Sequence, residues 1–138
     1  MVRMQVWLVA AAALVALTLG LGFFSGSGNA DETVRDGVFI HVTAGPEAPW
    51  RVSMACKMAD IMMTDRDVLM YFDIKGVHSV LDNDEVAALI EKGVPVLVCP
   101  SCLAKAGLKP EQVQDGVKIA EKDAFFSFTQ GRILTLDY

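Results

Sequence analysis

The chain has 138 residues, a formal net charge of −5 and 53% hydrophobic residues. An acidic chain without a Lys/Arg cluster is unsuited to nucleic acid, whose binding depends on neutralising phosphates. Three cysteines are too few for a disulfide-stapled scaffold, so the thiols read as chemical rather than architectural.

Met1-Val2-Arg3 is a short positive start, and Val6 to Phe24 is almost unbroken in Val, Leu, Ala, Trp and Phe. A small polar stretch, Ser25 to Ala30, follows, with Gly28 and Ala30 at the −3 and −1 positions of a signal-peptidase site. Residues 1–30 are therefore expected to be a signal peptide cleaved after Ala30. Residues 6–24 also approach the roughly 18–20 apolar residues that span a bilayer, so an uncleaved membrane anchor is the alternative. Contact with a membrane is expected only in that case. No Cys lies near the end of the apolar run, which excludes a lipoprotein anchor. Either way the folded part, 31–138, is expected to be exported to the periplasm or the extracellular space. Its length suits a single compact domain.

Gly37 to Thr43 reads as a first strand, ended by Ala44-Gly45-Pro46. Pro49 opens a helix to about Thr64, and Asp67 to Ile74 is a second strand closed by Lys75-Gly76. A short helical piece spans Val77 to Leu81. Asn83-Asp84-Glu85 caps a helix through Val86, Leu89 and Ile90, with Gly93 past its end. Val94 to Val98 is a third strand, and Cys99-Pro100-Ser101-Cys102 starts the next helix, broken at Gly107 to Pro110. Val117 to Ala120 is a fourth strand, Lys122 to Thr129 a short helix and Arg132 to Leu136 a final strand. Strands alternating with helices at this spacing predict an α/β fold: a mostly parallel sheet of about five strands with helices on both faces. Strand order is not readable from the pattern.

The first helix is apolar over too much of its circumference. Trp50, Met54, Met58 and Ile61 form one stripe, and Val52, Cys56, Ala59 and Met63 form another. The apolar arc spans roughly 240°, against the roughly 100° needed to cover a sheet. The excess predicts a subunit interface, with a crowded core as the alternative; a Met-rich surface suits adaptable packing. Phe125, Phe126 and Phe128 are too closely spaced for all to face one core, so at least one is expected at a partner subunit or the sheet edge.

The buried run before Cys99 delivers two thiols to the C-terminal edge of the sheet, where open α/β sheets bind ligands and do chemistry. Cys99 falls at the N-cap, Pro100 at N1 and Cys102 in the first turn, where unpaired N–H groups favour an anion. Both sulfurs are expected to have thiolate character, with Lys105 adding positive charge within a turn. The alternative is a pair of small buried residues at a strand–helix junction. Zinc needs four ligands, and nothing spaces Cys56, His41 and His78 as a second pair, so neither a metal nor another cofactor is expected. Cys56 reads as a core residue and His41 as a hydrogen-bonded core histidine. His78 lies near the edge where Cys99 emerges and is the candidate to support the thiolate, with a plain surface histidine as its alternative. Asp73 reads as an edge carboxylate capping the next turn. Thr43 to Glu47 lacks the pattern of a nucleotide loop and is expected to wall the thiol site.

The chain resembles the DsrE/TusD family of small sulfur-relay proteins over Gly37 to Tyr138. The likeness rests on the strand Val38-Phe39-Ile40-His41-Val42 before a Met-rich helix, and on Val98-Cys99 with Ala104 and Gly107 after it. The closing Gly131-Arg132-Ile133-Leu134-Thr135-Leu136 adds to it. It implies a three-layer α/β/α domain, a homo-oligomer (trimer or hexamer), and a sulfane sulfur carried as a persulfide on Cys99. Sulfur donor and acceptor proteins, or small thiols, are the implied partners. Two features depart from the family: the export leader, and Cys102, which is placed to attack a Cys99 persulfide. The second leaves open a thiol–disulfide oxidoreductase using a Cys99–Cys102 couple, with first-cysteine chemistry analogous to thioredoxin. A non-catalytic oligomeric binding module using the apolar helix face is the third reading.

Overall fold

The computed structural model describes residues 34–138; the leader expected at 1–30 lies outside them. The strands are β1 (Gly37–Val42), β2 (Asp67–Phe72), β3 (Val96–Val98), β4 (Lys118–Ile119) and β5 (Ile133–Asp137). The helices are α1 (Pro49–Met62), α2 (Asp84–Glu91), α3 (Pro100–Lys105) and α4 (Ala124–Ser127), with 3-10 segments at Ile74–Val80 and Pro110–Gln112. All four strand pairings are parallel, in the order β4-β3-β2-β1-β5. The predicted fold class therefore holds, as a five-stranded, all-parallel α/β sheet.

Several boundaries differ from the sequence reading for local reasons. β2 stops at Phe72 rather than Ile74, because Ile74 turns into the left-handed region at φ 48°. β3 begins at Val96, two residues late, since Pro95 has no N–H and contributes only its carbonyl, which accepts from Met70 N at 3.0 Å. α1 ends at Met62, the 3-10 segment starts three residues earlier than expected, and β4 and α4 are shorter than expected. α2 begins as its sequence indicates: Asn83 Oδ1 accepts from the N–H groups of Glu85 and Val86 at 3.0 and 3.1 Å. Gly93, at φ 89°, ends that helix turn.

Alternation along the strands sorts the sheet into two faces. Val38, Ile40, Val42, Val68, Met70, Phe72, Val96 and Val98 form the main core with Val52, Ala55, Cys56 and Ala59 of α1 and Val86 and Leu89 of α2. Cys56 is thus a core residue, as expected. The opposite stripe of α1 is mostly open: Trp50 is 67% exposed and Ile61 61%, with Met54 also exposed, while Met58 is half-buried against the core.

The second face carries Phe39 and His41 of β1 and Leu69 and Tyr71 of β2, paired in register as Phe39 with Leu69 and His41 with Tyr71. Leu97 lies beside Tyr71, and Asp137 of β5 beside His41. This face is covered by α4, whose Phe125 packs edge-on against Tyr71 and Phe39 at ring distances of 5.0 and 5.9 Å. Phe126 points outward and is 70% exposed. The three phenylalanines divide as the sequence requires, with Phe125 on the sheet and Phe126 at the surface.

Candidate thiol site at the end of β3

The ladder fixes Cys99 before its side chain does anything. Its N–H donates to Phe72 O at 2.9 Å, continuing the β2–β3 pairing one residue beyond the strand. Cys99 then becomes the N-cap of α3, with Pro100 at the first helical position. Its sulfur takes the place of a capping oxygen: Cys102 N–H donates to Cys99 Sγ at 3.3 Å. Ser101 Oγ lies 3.2 Å from the same sulfur. Tyr71, which pairs with Leu97 in the β2–β3 ladder, and the Cys102 side chain also act on this sulfur.

Cys99 is only 8% exposed, and burial alone would disfavour its thiolate. The hydrogen bonds from Ser101, Tyr71, the Cys102 side chain and the Cys102 N–H outweigh that burial and bring its pKa down to about 7. α3 has only six residues, so these local donors, not a long helix dipole, stabilise the anion. Cys102 behaves oppositely to expectation. The neighbouring Cys99 raises its pKa first and burial second, although the Ile74 N–H acts the other way. The site therefore favours the thiolate at Cys99 and disfavours it at Cys102, rather than favouring two thiolates.

The Ile74 backbone matters here because a β-branched residue at φ 48° is strained, at a cost of about 1–3 kcal/mol. Its N–H acts on Cys102 in the direction that favours the thiolate. Gly76 sits two residues on, where an added Cβ would strike the Val42 carbonyl, so this turn is clamped against the end of β1.

Next to Tyr71 lies His41, which the sequence predicts to be a hydrogen-bonded core histidine. His41 is partly buried, not fully in the core. Its Nδ1 is 2.9 Å from Asp137 Oδ1, and its Nε2 is 3.0 Å from Asp73 Oδ1. The second contact is an ion pair without hydrogen-bond alignment, and neither of its atoms finds another partner. Burial opposes protonation of the ring, but the carboxylates of Asp73 and then Asp137 prevail and raise its pKa. Asp73 thus faces His41 and makes no side-chain cap at the following 3-10 segment, a correction to its expected role. The His41 ring stacks on Tyr71, with centroids 5.7 Å apart and planes at 19°.

Of the four predicted site residues, the structure brings Cys99 and Cys102 together. Lys105 lies exposed in the last turn of α3, and neither it nor His78 is among the groups acting on Cys99. His78 is exposed and lines a separate groove with Pro46, Pro49, Ser53 and Asp82. Pro46 of the 43–47 loop therefore faces that groove. Tyr71 and Ser101 were missed. Ser101 was detectable as the hydroxyl inside the Cys-Pro-Ser-Cys turn; Tyr71 required the β2–β3 register. Cys56, buried in the core, has its pKa pushed up to about 12 by burial and by Glu85, and is chemically inert there. Among the described residues no set of three or more His, Cys, Asp or Glu is placed to hold a metal ion; Asp73 and Asp137 occupy opposite nitrogens of His41.

A family model, the DsrE/DsrF-like family, matches residues 36–131, which include every side chain just described except Asp137. The chain belongs to the DsrE/DsrF-like family. Two solved structures share this DsrE-like fold. A protein of unknown function from Methanobacterium thermoautotrophicum, MTH1491, has a TM-score of 0.59 at 16% identity, covering 74% of this chain and 99% of its own. The ychN protein from E. coli has a TM-score of 0.56 at 16% identity, covering 75% of this chain and 100% of its own. A search of curated proteins found no match. The DsrE/DsrF-like family is related to sulfur relay.

Proposed function

We propose that this DsrE-like protein is an exported carrier of sulfane sulfur, held as a persulfide on Cys99. The observation that carries the reading is a nearly buried sulfur with Ser101, Tyr71 and the Cys102 N–H directed at it and a pKa of about 7. A sulfur ionised to roughly half near neutral pH is both a competent nucleophile and a good leaving group. In loading, the Cys99 thiolate attacks the outer sulfur of a donor persulfide. The new bond joins Cys99 Sγ to that sulfur, the donor's S–S bond breaks, and the donor leaves as a thiolate. In unloading, an acceptor thiolate attacks the same outer sulfur and Cys99 leaves as the thiolate. The donors at the N-cap serve the anion at the start and end of this cycle. Residues 1–30 would direct the domain out of the cytoplasm, and the open stripe of α1 would serve a homo-oligomer.

Intact mass of the mature protein after incubation with a sulfane-sulfur donor tests this. A gain of one sulfur atom, absent in Cys99→Ser, is expected. No gain in the wild type overturns the carrier reading.

The position of Cys102 favours one second reading. Its thiol turns towards Cys99 from within the same helical turn. As a thiolate it would attack Cys99 Sγ of the persulfide, expelling hydrosulfide and closing a Cys99–Cys102 disulfide. A thiol reductant would then reopen the bridge. Cys102→Ser separates the two: a carrier keeps its persulfide, with a lifetime extended several-fold, whereas a dithiol enzyme loses sulfide release and turnover. A protein that shows neither mass change nor disulfide formation would be a binding module.

A further inference from the structure

We infer that His41, clamped between Asp73 and Asp137, is a positioning residue that holds the Tyr71 ring so that its hydroxyl donates to Cys99. This rests on the reading of Cys99 as the working nucleophile. It does not depend on what Cys99 attacks.

The geometry is a chain of three contacts. Carboxylate oxygens face both ring nitrogens of His41, at 2.9 and 3.0 Å. A neutral imidazole has one N–H and one lone pair, so only the protonated ring suits two carboxylates at once. The clamped ring then lies nearly parallel to Tyr71. Phe125 closes the Tyr71 ring from α4 at 84°, so the phenol is held between a stack and an edge contact. Tyr71 pairs with Leu97, so Cys99 lies two residues further along on the same face, and the phenol acts on its sulfur.

The charged and titratable groups around His41 are few. β2 presents Tyr71 and, just past its end, Asp73; β5 presents Asp137. α4 presents the uncharged Phe125 to Phe39 and Tyr71, and Cys99 and Cys102 lie beyond the phenol. With the imidazole neutral, two carboxylates face the ring without a cation, the clamp loosens, and Tyr71 loses its fixed orientation. Thiolate formation at Cys99 is thereby tied to a histidine on a different strand.

Alkylation of Cys99 by iodoacetamide across a pH series, resolved from Cys102 by fragment mass spectrometry, reads this directly on the full chain without any sulfur donor. His41→Gln and Tyr71→Phe should each slow alkylation at pH 7 roughly twofold, which from a starting pKa of about 7 is about half a pKa unit, and converge with the wild type at alkaline pH. The double variant should be no slower than Tyr71→Phe alone. Wild-type rates in His41→Gln, or effects that multiply in the double variant, overturn the inference. Should His41→Gln fail to fold, Asp137→Asn serves, since that carboxylate is 69% exposed. Loss of a negative charge by itself favours a thiolate, so slower alkylation in Asp137→Asn marks lost positioning, and an unchanged or faster rate overturns it. If alkylation behaves as stated but no sulfur is taken up, the sulfur-carrier reading fails and the positioning role stands.

Discussion

The Ser101 hydroxyl lies 3.2 Å from Cys99 Sγ, within the turn that links the two cysteines. That contact costs the fold little to make, because both residues are already fixed by the start of α3. Its benefit goes to the ionised sulfur, and a hydrogen bond to a charged partner stabilises it by about 1.5–3 kcal/mol when well shielded. Ser101 is exposed, so the smaller end applies. Ser101→Ala should raise the Cys99 pKa from about 7 by roughly one unit, read as ultraviolet absorbance of the thiolate against pH. Ser101→Thr should restore it. An unmoved midpoint in Ser101→Ala would mean that the Cys102 N–H and Tyr71 suffice.

The aspartate-clamped histidine also predicts how stability depends on pH. The pKa of His41 is raised in the fold above its ordinary 6.5, so the folded state binds the proton more tightly than the unfolded chain. Its stabilising contribution is complete below pH 6.5 and is lost as pH rises through the higher folded value. Thermal melts of the wild type should lose a few degrees of Tm across that window relative to His41→Gln. Parallel curves for the two proteins would contradict the pairing.

Trp50 and Met54 project from α1 on the side away from the sheet. Large aromatic and Met side chains left on one open stripe are the residue types that anchor interfaces. Sedimentation of the mature wild type should give a species larger than a monomer. Trp50→Glu with Met54→Glu should dissociate it while changing the monomer's Tm little, because neither side chain belongs to the core. A wild type that sediments as a monomer removes the interface.

How much of this was legible in the sequence depended on the range of the interaction. α2 announced itself through Asn83 and Gly93, both acting within a turn of the helix. Cys99 was legible because an apolar run, a proline and two thiols fall within a few residues. The activated state of Cys99 was only half legible: the cap from Cys102 is local, but Tyr71 comes from β2. His41 and Asp137 are 96 residues apart and meet only because β5 pairs with β1 rather than with β4, which alternation along the chain does not encode. Asp73 was misread for the same reason; a carboxylate after a strand looks like a cap until its neighbour strand is known. The wide apolar arc of α1 was readable from spacing alone, since solvent exposure of one stripe follows once the other is buried.

The pairing of β1 with β5 has a consequence for biosynthesis. The donors inside α3 exist as soon as residues 99–102 form their turn, whereas Asp137 reaches His41 only after the last strand has docked beside the first. A growing or threading chain would therefore present Cys99 without the clamp beside Tyr71, and its sulfur would gain full nucleophilicity only when the sheet closes. In the exported protein proposed above, the order in which the strands arrive would hold down premature capture of thiol reagents.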